Sequence, residues 1–394
     1  MKTNWQTKKL GEICEIVKDS VPEYVGEKKY FSTGSINNDK FYLPEKITYK
    51  EKPSRANSYP KAGDVGFAKM KFTNKVLMID QDLSGSIFST GFCFLRPNKL
   101  IDSRFLFHFV ISDKFQKLKN LYAGDGIMGG IKNSDVKEIE MPFLPLSTQH
   151  RIVKKIDMLF GELAKTKENT EKNLQNTKDL FESYLQNIFT HSGKGWEQKK
   201  LGEVAVFRNG MNFTKGSKGE VIKIVGVKDF QKSFWIPFEN LKSVTIDGKL
   251  NKIDFLKQGD ILAVRSNGNP ELIGRTLIAG NVIGKFSHSG FTIRIRLNSE
   301  DIYPIYLCHY LKSQIAKKQL IESGTGINIK SLNQVALSSL VIPLPPLSNQ
   351  KSIVKKLDLL SEKTKKLGEI YKQKLADLKE LKKSILKKAF DGEL

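Results

Sequence analysis

The 394-residue sequence contains little cysteine and no long apolar run. Its three cysteines, Cys14, Cys93 and Cys308, are far apart and odd in number, so they give neither a disulfide framework nor a zinc-binding spacing. No run of about 18 apolar residues is present, which excludes a membrane-spanning helix. Residues 1–5 (MKTNW) also lack the apolar segment of a signal peptide. We therefore expect a cytoplasmic protein whose thiols are buried and free.

The motifs of common catalytic sites are missing as well. The sequence has no GxxxxGK[ST] phosphate loop, no HExxH and no Asn/Asp-Pro-Pro-aromatic motif, and its histidines show no metal-ligand spacing. His108 and His309 lie among Phe, Leu and Tyr residues, so we interpret them as core residues. The segment at 124–129 (GDGIMG) fits GxGxxG, but the matching segment at 324–327 breaks the pattern, and we interpret both as loops. A binding protein without a catalytic centre, metal or cofactor of its own is expected.

What the sequence does have is positive charge. It holds 65 Lys and Arg against 42 Asp and Glu, for a formal net charge of +23. Such a charge describes partners rather than fold, and nucleic acid is the commonest polyanion in the cytoplasm. An anionic membrane surface is a weaker interpretation, because the lysines are spread along the chain and no short lipid-seeking helix stands out. Charge alone also allows ordinary solvated lysines.

The second half of the sequence repeats the outline of the first. Trp5–Ile13 (WQTKKLGEI) returns at Trp196–Val204 (WEQKKLGEV), and Pro142–Gln149 (PFLPLSTQ) returns at Pro343–Gln350 (PLPPLSNQ). Between these matched segments only short echoes survive. They are Gly63-Asp64 with Gly259-Asp260, Thr90-Gly91-Phe92 with Ser289-Gly290-Phe291, and His108 with His309. The pattern indicates two domains of one fold with different surfaces.

The fold class expected is α+β, with two similar mixed α/β domains separated by two long helices that form an antiparallel coiled coil. Ser103–Asn120 and Tyr303–Ile321 predict amphipathic helices late in each domain. Phe291–Leu297 alternates apolar and basic residues, as a half-exposed strand does. The predicted parts are domain 1 at 1–146, a central spacer helix at 147–190, a linker at 191–195, domain 2 at 196–347 and a C-terminal spacer helix at 348–394.

Apolar residues in the two predicted spacer helices recur in alternating steps of three and four, which is typical of a coiled-coil seam. Ser147 and Ser348 are the expected N-caps. A helix of about 40 residues is roughly 60 Å long and cannot bury its apolar stripe alone, so we expect the two helices to pair. The predicted seam residues are Ile152, Ile156, Leu159, Leu163, Leu174, Phe181 and Ile188 in the first helix, and Ile353, Leu357, Leu360, Leu367, Tyr371, Leu378, Leu381 and Ile385 in the second.

These residues resemble a known family. The duplicated opening motif at Trp5 and Trp196, the segments Pro142–Gln149 and Pro343–Gln350, and the ending Leu386–Leu394 (LKKAFDGEL) are similar to the specificity subunit (HsdS) of type I restriction–modification systems. The resemblance covers the whole chain. One departure is Phe143-Leu144-Pro145, where the family has Leu-Pro-Pro, although Pro145 and Gln149 are retained.

The resemblance implies that each variable domain is a target-recognition domain that reads one half of a bipartite target in double-stranded DNA. It also implies that the long helices act as a spacer and as docking surfaces for two modification (methyltransferase) subunits, which restriction subunits join. Chemistry and cofactors, namely S-adenosylmethionine, ATP and Mg²⁺, would then belong to those partners.

On this reading, lysines bind phosphate and fix register, while forked side chains read base edges. The best reading cluster is Arg265–Asn269 (RSNGN), directly after a predicted strand, and the corresponding loop of domain 1 is Lys69–Asn74. For each residue the alternative interpretation is an ordinary solvated turn. The candidate DNA-binding residues are Lys69, Lys71, Asn74, Lys223, Lys228, Arg265, Asn267, Asn269, Arg275 and Lys285.

Two other functions stay open on the sequence alone. One is a two-headed DNA-binding regulator or architectural protein without enzyme partners, which co-purification with a methyltransferase subunit would argue against. The other is a self-contained nuclease with an unrecognised site, which metal-dependent cleavage by the isolated chain would support.

Overall fold

The structure, a computed structural model, describes residues 5–37, 40–41, 43–124, 129–190, 193, 195–230, 233–322 and 331–394. The polypeptide divides into two compact units. Unit 1 comprises Met1–Glu171 and Lys372–Leu394, and unit 2 comprises Lys172–Tyr371. Each unit therefore combines one globular domain with segments of both long helices.

Some predicted features lie wholly or partly outside the described residues. These are the linker at 191–195 and the glycine-containing loops at 124–129 and 324–327.

Domain 1 is built from short strands and short helices, and a long helix follows it. Its strands are β1 (Gln6–Lys9), β2 (Cys14–Ile16), β3 (Lys28–Phe31), β4 (Ile36–Asn37), β5 (Lys40–Phe41), β6 (Glu45–Ile47), β7 (Ala56–Ser58), β8 (Val65–Ala68), β9 (Val76–Met78), β10 (Ile87–Ser89), β11 (Phe92–Pro97) and β12 (Glu140–Phe143). Its helices are α1 (Leu10–Ile13), α2 (Ser103–Ile111), α3 (Asp113–Tyr122) and α4 (Asn133–Lys137), and the long helix is α5 (Leu146–Thr190).

Two sheets of domain 1 enclose its interior. The helix-facing sheet, in the order β2–β11–β8–β9, is antiparallel and packs one face against α2 and the long-helix segments of unit 1. The outer sheet, in the order β6–β3–β10–β7, contains the parallel pair β3–β10. Between the sheets lies an apolar cluster around Phe31, Phe88 and Phe94. Strand β1 pairs with β12, so the two matched sequence segments of domain 1 lie side by side.

Domain 2 repeats this arrangement. Its strands are β13 (Glu197–Lys200), β14 (Ala205–Asn209), β15 (Val221–Val225), β16 (Lys242–Thr245), β17 (Ile261–Val264), β18 (Thr276–Ile278), β19 (Phe286–His288), β20 (Thr292–Leu297) and β21 (Val341–Leu344). The helix-facing sheet has the order β14–β20–β17–β18 and the outer sheet the order β16–β15–β19, with β15 and β19 parallel, while β13 pairs with β21. The helices are α6 (Leu201–Val204), α7 (Pro304–Lys312), α8 (Gln314–Glu322), α9 (Gln334–Ser339) and the long helix α10 (Leu347–Phe390).

The prediction of a half-exposed strand at Phe291–Leu297 is wrong. Arg294 of β20 is only 2% exposed, and Arg296 is partly buried beside it. The Arg294 Nη1 donates to the carbonyl oxygen of Ile253 (2.8 Å), and Arg296 Nε and Nη2 donate to the carboxylate of Asp260 (2.7 Å each). The strand can bury these two guanidinium groups because a carbonyl and a carboxylate from distant segments accept their hydrogen bonds. The alternating pattern of the strand had predicted that both groups face solvent.

The two predicted amphipathic helices are each interrupted by a serine. Ser112 separates α2 from α3, and Ser313 separates α7 from α8. The Ser112 hydroxyl donates to the carbonyl of Phe109 (2.6 Å) and accepts the N–H of Phe115 (3.3 Å). Ser313 makes the same two bonds, so each serine ends one helix and caps the next.

The long helices pair antiparallel within each unit. In unit 1, Lys382 Nζ of α10 lies 5.0 Å from the ring centroid of Phe160 in α5. In unit 2, Gly368 of α10 faces Leu174 of α5, close enough that an added Cβ would lie 3.8 Å from Leu174 Cδ1. Residue numbers therefore fall along one helix as they rise along the other. Together with the two repeated domains, this confirms the predicted fold class.

Two of the predicted seam residues are wrong. Leu367 is 38% exposed and Leu381 is 48% exposed. The half-buried stripe of α10 runs instead through Thr364, Gly368 and Leu375. Because a helix has 3.6 residues per turn, the stripe takes a step of four from Thr364 to Gly368, and this step carries it past Leu367.

The matching ends of the two helices close opposite domains. Phe189, near the end of α5, packs against Tyr306 and Tyr310 of α7 with ring centroids 5.6 and 5.1 Å away. Phe390, near the end of α10, packs in the same way against Phe105 and Phe109 of α2. Each domain is therefore completed by the helix that follows the other domain.

A buried glutamine fixes the start of each long helix. Gln149 accepts the N–H of Asp102 (2.9 Å) and donates to the carbonyls of Leu100 and Leu144. Gln350 makes the equivalent three bonds, with Tyr303 as the donor (2.8 Å). The helices begin at Leu146 and Leu347, so Ser147 and Ser348 lie in the first turn and are not the predicted N-caps. The carbonyls of the preceding prolines accept the first helical bonds instead.

Candidate nucleic-acid interface

The loop after β8 of domain 1 carries the predicted residues Lys69, Lys71 and Asn74. Its backbone is fixed on two sides: Lys69 N–H donates to the carbonyl of Gly91 (2.9 Å), and the carbonyl of Lys69 accepts from Ile131 (3.0 Å). Lys69 and Lys71 are half-buried at their stems and Asn74 is exposed. The three side chains therefore project from one ordered loop, as the sequence predicts for neighbours in the chain.

The loop after β17 of domain 2 occupies the equivalent place. Arg265 N–H donates to the carbonyl of Phe291 (2.7 Å), and the carbonyl of Arg265 accepts from Leu332 (2.7 Å), which repeats the two bonds of Lys69. We call these two loops, with the turns bonded to them at Gly91 and Phe291, the recognition edges of the two domains. They place a lysine in domain 1 where domain 2 has an arginine.

Three further predicted residues shape the recognition edge of domain 2. Asn267 Oδ1 accepts the N–H of Asn269 (2.8 Å), and Asn269 Oδ1 accepts the N–H of Glu271 (3.0 Å), where a short 3-10 helix begins. Arg275 Nε donates back to the carbonyl of Glu271 (3.1 Å). The asparagines hold the loop conformation through their Oδ1 atoms, and Arg265 lies half-buried at the start of the loop.

The three predicted lysines of domain 2 are not all brought together. Lys228 lies just past the end of β15, whose Val225 carbonyl bonds Ser289 beside the Phe291 turn, so it lies next to the recognition edge. Lys223 lies within β15 and is exposed. Lys285 precedes β19 at the opposite end of the parallel pair and lies 3.7 Å from Glu220. Lys285 is thus the least suited of the ten candidates to the same ligand.

A buried lysine supports the recognition edge of domain 1. Lys119 of α3 is fully buried, and its Nζ donates to the carbonyls of Thr73 and Ala68 at the two ends of the loop. Burial lowers the pKa of the Lys119 ammonium to about 8, because the charged form loses its hydration. This side chain was not predicted from the sequence, where it reads as one more surface lysine.

Exposed aromatic residues on both edges were also missed. Phe72 in the domain 1 loop is 79% exposed, and Phe291 in the domain 2 turn is 60% exposed. The sequence signal that could have identified them is an aromatic residue placed just outside a strand. Phe72 follows β8 and Phe291 precedes β20, and the apolar residues of both strands are themselves buried or partly buried.

His108 and His309 are buried in the interiors of their domains, as the sequence predicts. His108 Nε2 lies 2.9 Å from Asp157 of α5, and burial lowers its pKa against the opposing effect of that carboxylate. Within the described part of the chain, no group of three or more His, Cys, Asp or Glu residues is placed to hold a metal ion. No helix among the described residues has both the length and the apolar character needed to cross a membrane.

Comparison with known proteins identifies a family that shares this duplicated architecture. The family model described as the type I restriction modification DNA specificity domain matches residues 2–173 and again residues 193–379. The StySPI specificity subunit of a type I restriction enzyme from Salmonella potsdam is 30% identical over 316 residues, which cover 76% of this chain and 67% of that protein. The EcoKI specificity subunit from Escherichia coli K12 is 28% identical over 325 residues, covering 77% and 68%.

Structural comparison agrees over the full length. A chain from a solved structure of the type I R-M system, concerned with its assembly and conformational transition, matches with a TM-score of 0.79 and 25% identity. The match covers 100% of this chain and 99% of that one. The resemblance inferred from the sequence is thereby confirmed.

Proposed function

The chain belongs to the type I restriction–modification DNA specificity family, and from this premise we propose that it is the subunit that selects the DNA target of a type I restriction–modification enzyme. The observation that carries the proposal is the pair of recognition edges. One fold occurs twice with matched backbone bonds at Lys69 and Arg265, while the side chains around them differ. Two such edges in one chain suit a bipartite target with unlike halves.

Six of the ten candidate residues can be divided by the chemistry of their side chains. Lysines at the edges supply contacts to phosphate, which add affinity and salt dependence but little sequence information. Arg265 can donate two bonds to a guanine edge, and a base contact of this kind discriminates against the wrong base. We therefore propose base reading by Arg265 and phosphate contact by Lys69, Lys71, Lys223 and Lys228. Lys285 is less suited to phosphate contact, because it lies at the end of β19 away from the recognition edge and pairs with Glu220.

The long helices are proposed to set the half-site spacing and to dock two modification subunits, which restriction subunits join. Support comes from the continuity of α5 and α10, each of which runs unbroken for 45 or 44 residues through the point where the two units divide. Methyl transfer and cleavage, with S-adenosylmethionine, ATP and Mg²⁺, are assigned to those partners, and the complex to the cytoplasm. The chain itself is proposed to be non-catalytic.

Selection of DNA from a random pool by the full chain, bound to its modification subunit, tests the proposal. We expect a target of two specified half-sites separated by unspecified bases of fixed number. The same motif should carry methylated adenine in a host that contains the chain and lack it in a host without it. Enrichment of no sequence would refute the proposal, and a single uninterrupted motif would refute its bipartite part.

Arg265→Ala tests the assignment of base reading to domain 2. We expect this variant to relax specificity within one half-site only, with a loss of about 1–3 kcal/mol against the selected target and little change on random DNA. Lys71→Ala is the reciprocal control, and any relaxation it causes should fall in the other half-site. An equal loss of affinity by Arg265→Ala on selected and random DNA would assign Arg265 to phosphate instead.

A further inference from the structure

Phe72, at the centre of the domain 1 recognition edge, has an unusual conformation. Among the described residues it is the one non-glycine with a positive φ, at 59°, and the others are glycines such as Gly63 and Gly259. Its ring is 79% exposed. A bulky residue in this conformation is strained, and an exposed phenyl ring recovers little of that cost from burial. Burial within the described part of the chain therefore does not account for a phenylalanine at this position.

The backbone beneath the ring is held from three directions. Phe72 N–H donates to Asn120 Oδ1 at the end of α3 (2.9 Å). Lys71 N–H donates to the carbonyl of Gly129 (2.9 Å), and the buried Lys119 ammonium donates to the carbonyl of Thr73. The backbone that carries the ring is therefore fixed before any ligand arrives, which lowers the entropy lost on binding.

The surroundings of the ring indicate a polyanion with flat apolar faces. Lys71 Nζ lies 5.7 Å from the ring centroid, and Lys69 projects from the same loop. Met70 of the same loop is exposed, and so is Leu121, which follows Asn120 in α3. Nucleic acid combines phosphates for the ammonium groups with base faces for the phenyl ring, and aromatic or apolar side chains that enter a duplex part adjacent base pairs.

We propose that Phe72 is a wedge that stacks on a base and opens one base-pair step in the half-site read by domain 1. This inference rests on the proposed function and adds a specificity-determining residue to it. Opening a step costs least where the stack is weakest, such as at pyrimidine–purine steps, so the wedge would select sequence through the ease of deforming the duplex. Domain 2 has no counterpart at this loop position, since its edge carries asparagines and glycine there.

The experiment uses the full chain with its modification subunit and the DNA selected by the wild type, with 2-aminopurine placed in turn at each position of both half-sites. Apart from any rise at the adenines that the modification subunits methylate, we expect fluorescence to rise on binding at one step of the half-site read by domain 1, because unstacking relieves the quenching of 2-aminopurine. Phe72→Ala should abolish that rise and weaken binding about tenfold or more. Phe72→Trp should retain the rise and show quenching of the new indole.

Leu121→Ala is the matched control, since Leu121 is 77% exposed and follows Asn120, the partner of the Phe72 N–H, but lies on α3 rather than on the loop. It should bind and unstack like the wild type. Equal losses for Leu121→Ala and Phe72→Ala, without any unstacking signal, would overturn the wedge in favour of a protein-docking patch. The wedge would also be overturned if the wild type bound its selected target without a fluorescence rise at any step of the domain 1 half-site other than a methylated adenine. The same holds if the rise at that step survived Phe72→Ala. A wild type that selects no target at all would refute the proposed function instead.

Discussion

The space between the two sheets is filled differently in domain 1 and domain 2. In domain 1 it holds stacked and edge-on aromatic rings, with Phe88 centred 5.1 Å from Phe31 and 5.2 Å from Phe94. In domain 2 the ladder places Thr292 opposite Val264 and Arg294 opposite Leu262, where domain 1 has Phe92 opposite Ala68 and Phe94 opposite Gly66. Aromatic positions of one domain are thus polar positions of the other.

The residues opposite these positions, on the neighbouring strands, differ between the domains as well. A Cβ added to Gly66 would lie 2.4 Å from Phe94 Cε1, so the glycine makes room for the ring. In domain 2 the flexible Arg294 faces Leu262, and its guanidinium reaches the carbonyls of Ile253 and Phe255. The comparison shows that one strand order and register accommodates side chains of different size and polarity. Between its sheets, domain 2 buries a guanidinium where domain 1 packs an aromatic ring.

The largest expected difference concerns the Gly-Asp turn that both domains share. Asp260 accepts two bonds from Arg296, and Asp64 accepts two from Arg96, but Arg96 also bonds Asp19 (3.1 Å). Asp260→Ala should lower the free energy of unfolding of domain 2 by about 3–5 kcal/mol, because it leaves a partly buried guanidinium unpaired. Asp64→Ala should cost domain 1 clearly less. Calorimetry of the full chain measures the loss of unfolding free energy in both variants. Equal losses would show that the bond from Arg96 to Asp19 does not compensate for the loss of Asp64.

The second difference is acid sensitivity. His288 is buried beside Arg294, with Asp254, Arg208 and Arg296 as further charged neighbours, and burial lowers its pKa to about 3. Because the folded pKa lies below the unfolded value of about 6.5, the unfolded chain takes up the proton first. His288 thus stabilises domain 2 fully above pH 6.5, and this stability is lost as pH falls from 6.5 towards 3, by about 1.4 kcal/mol per pH unit.

The control for this pH dependence is His288→Phe, which introduces the residue that domain 1 has at the equivalent Phe88. Urea unfolding at several values between pH 7 and pH 5 should show a shallower slope for domain 2 in this variant than in the wild type. A slope that does not change would mean that His288 is protonated equally in the folded and unfolded chains.

The third difference is the close fit between Gly66 and the Phe94 ring in domain 1. Gly66→Ala should destabilise domain 1 by about 1–3 kcal/mol, since the Phe94 ring must shift within a filled interior. Gly161→Ala in α5 is the matched control: nothing lies within 4 Å of its added Cβ, so a gain of up to about 1 kcal/mol in helix stability is expected. Thermal unfolding of both variants decides the point, and a neutral Gly66→Ala would show that the ring has room to move.

The smallest expected effect concerns affinity for DNA. Lys228→Ala should weaken binding uniformly across sequences and reduce the slope of log affinity against log salt by about 0.9, the contribution of one phosphate contact. Lys285→Ala should change the slope less, because Lys285 pairs with Glu220 away from the recognition edge. A larger salt effect for Lys285 than for Lys228 would place the DNA on the other end of the outer sheet.

The sequence by itself determined the duplicated outline of the chain, the fold class and the family. Those features depend on local signals: matched motifs, prolines before helices, and apolar residues at helical spacing. The boundaries of the predicted parts and the ten DNA-binding candidates stay predictions, and their placement now favours Arg265 and Lys228 over Lys285.

Tertiary structure alone decided which charges are buried and which apolar residues are not. Arg294 is buried because carbonyls from the segment at 253–255 accept its hydrogen bonds, and Leu367 is exposed because its neighbour Gly368 is the residue that faces Leu174 of the partner helix. Phe72 stays exposed because Asn120, 48 residues further along the chain, fixes its backbone. Each outcome depends on a partner distant in sequence, and local periodicity carries no information about such partners.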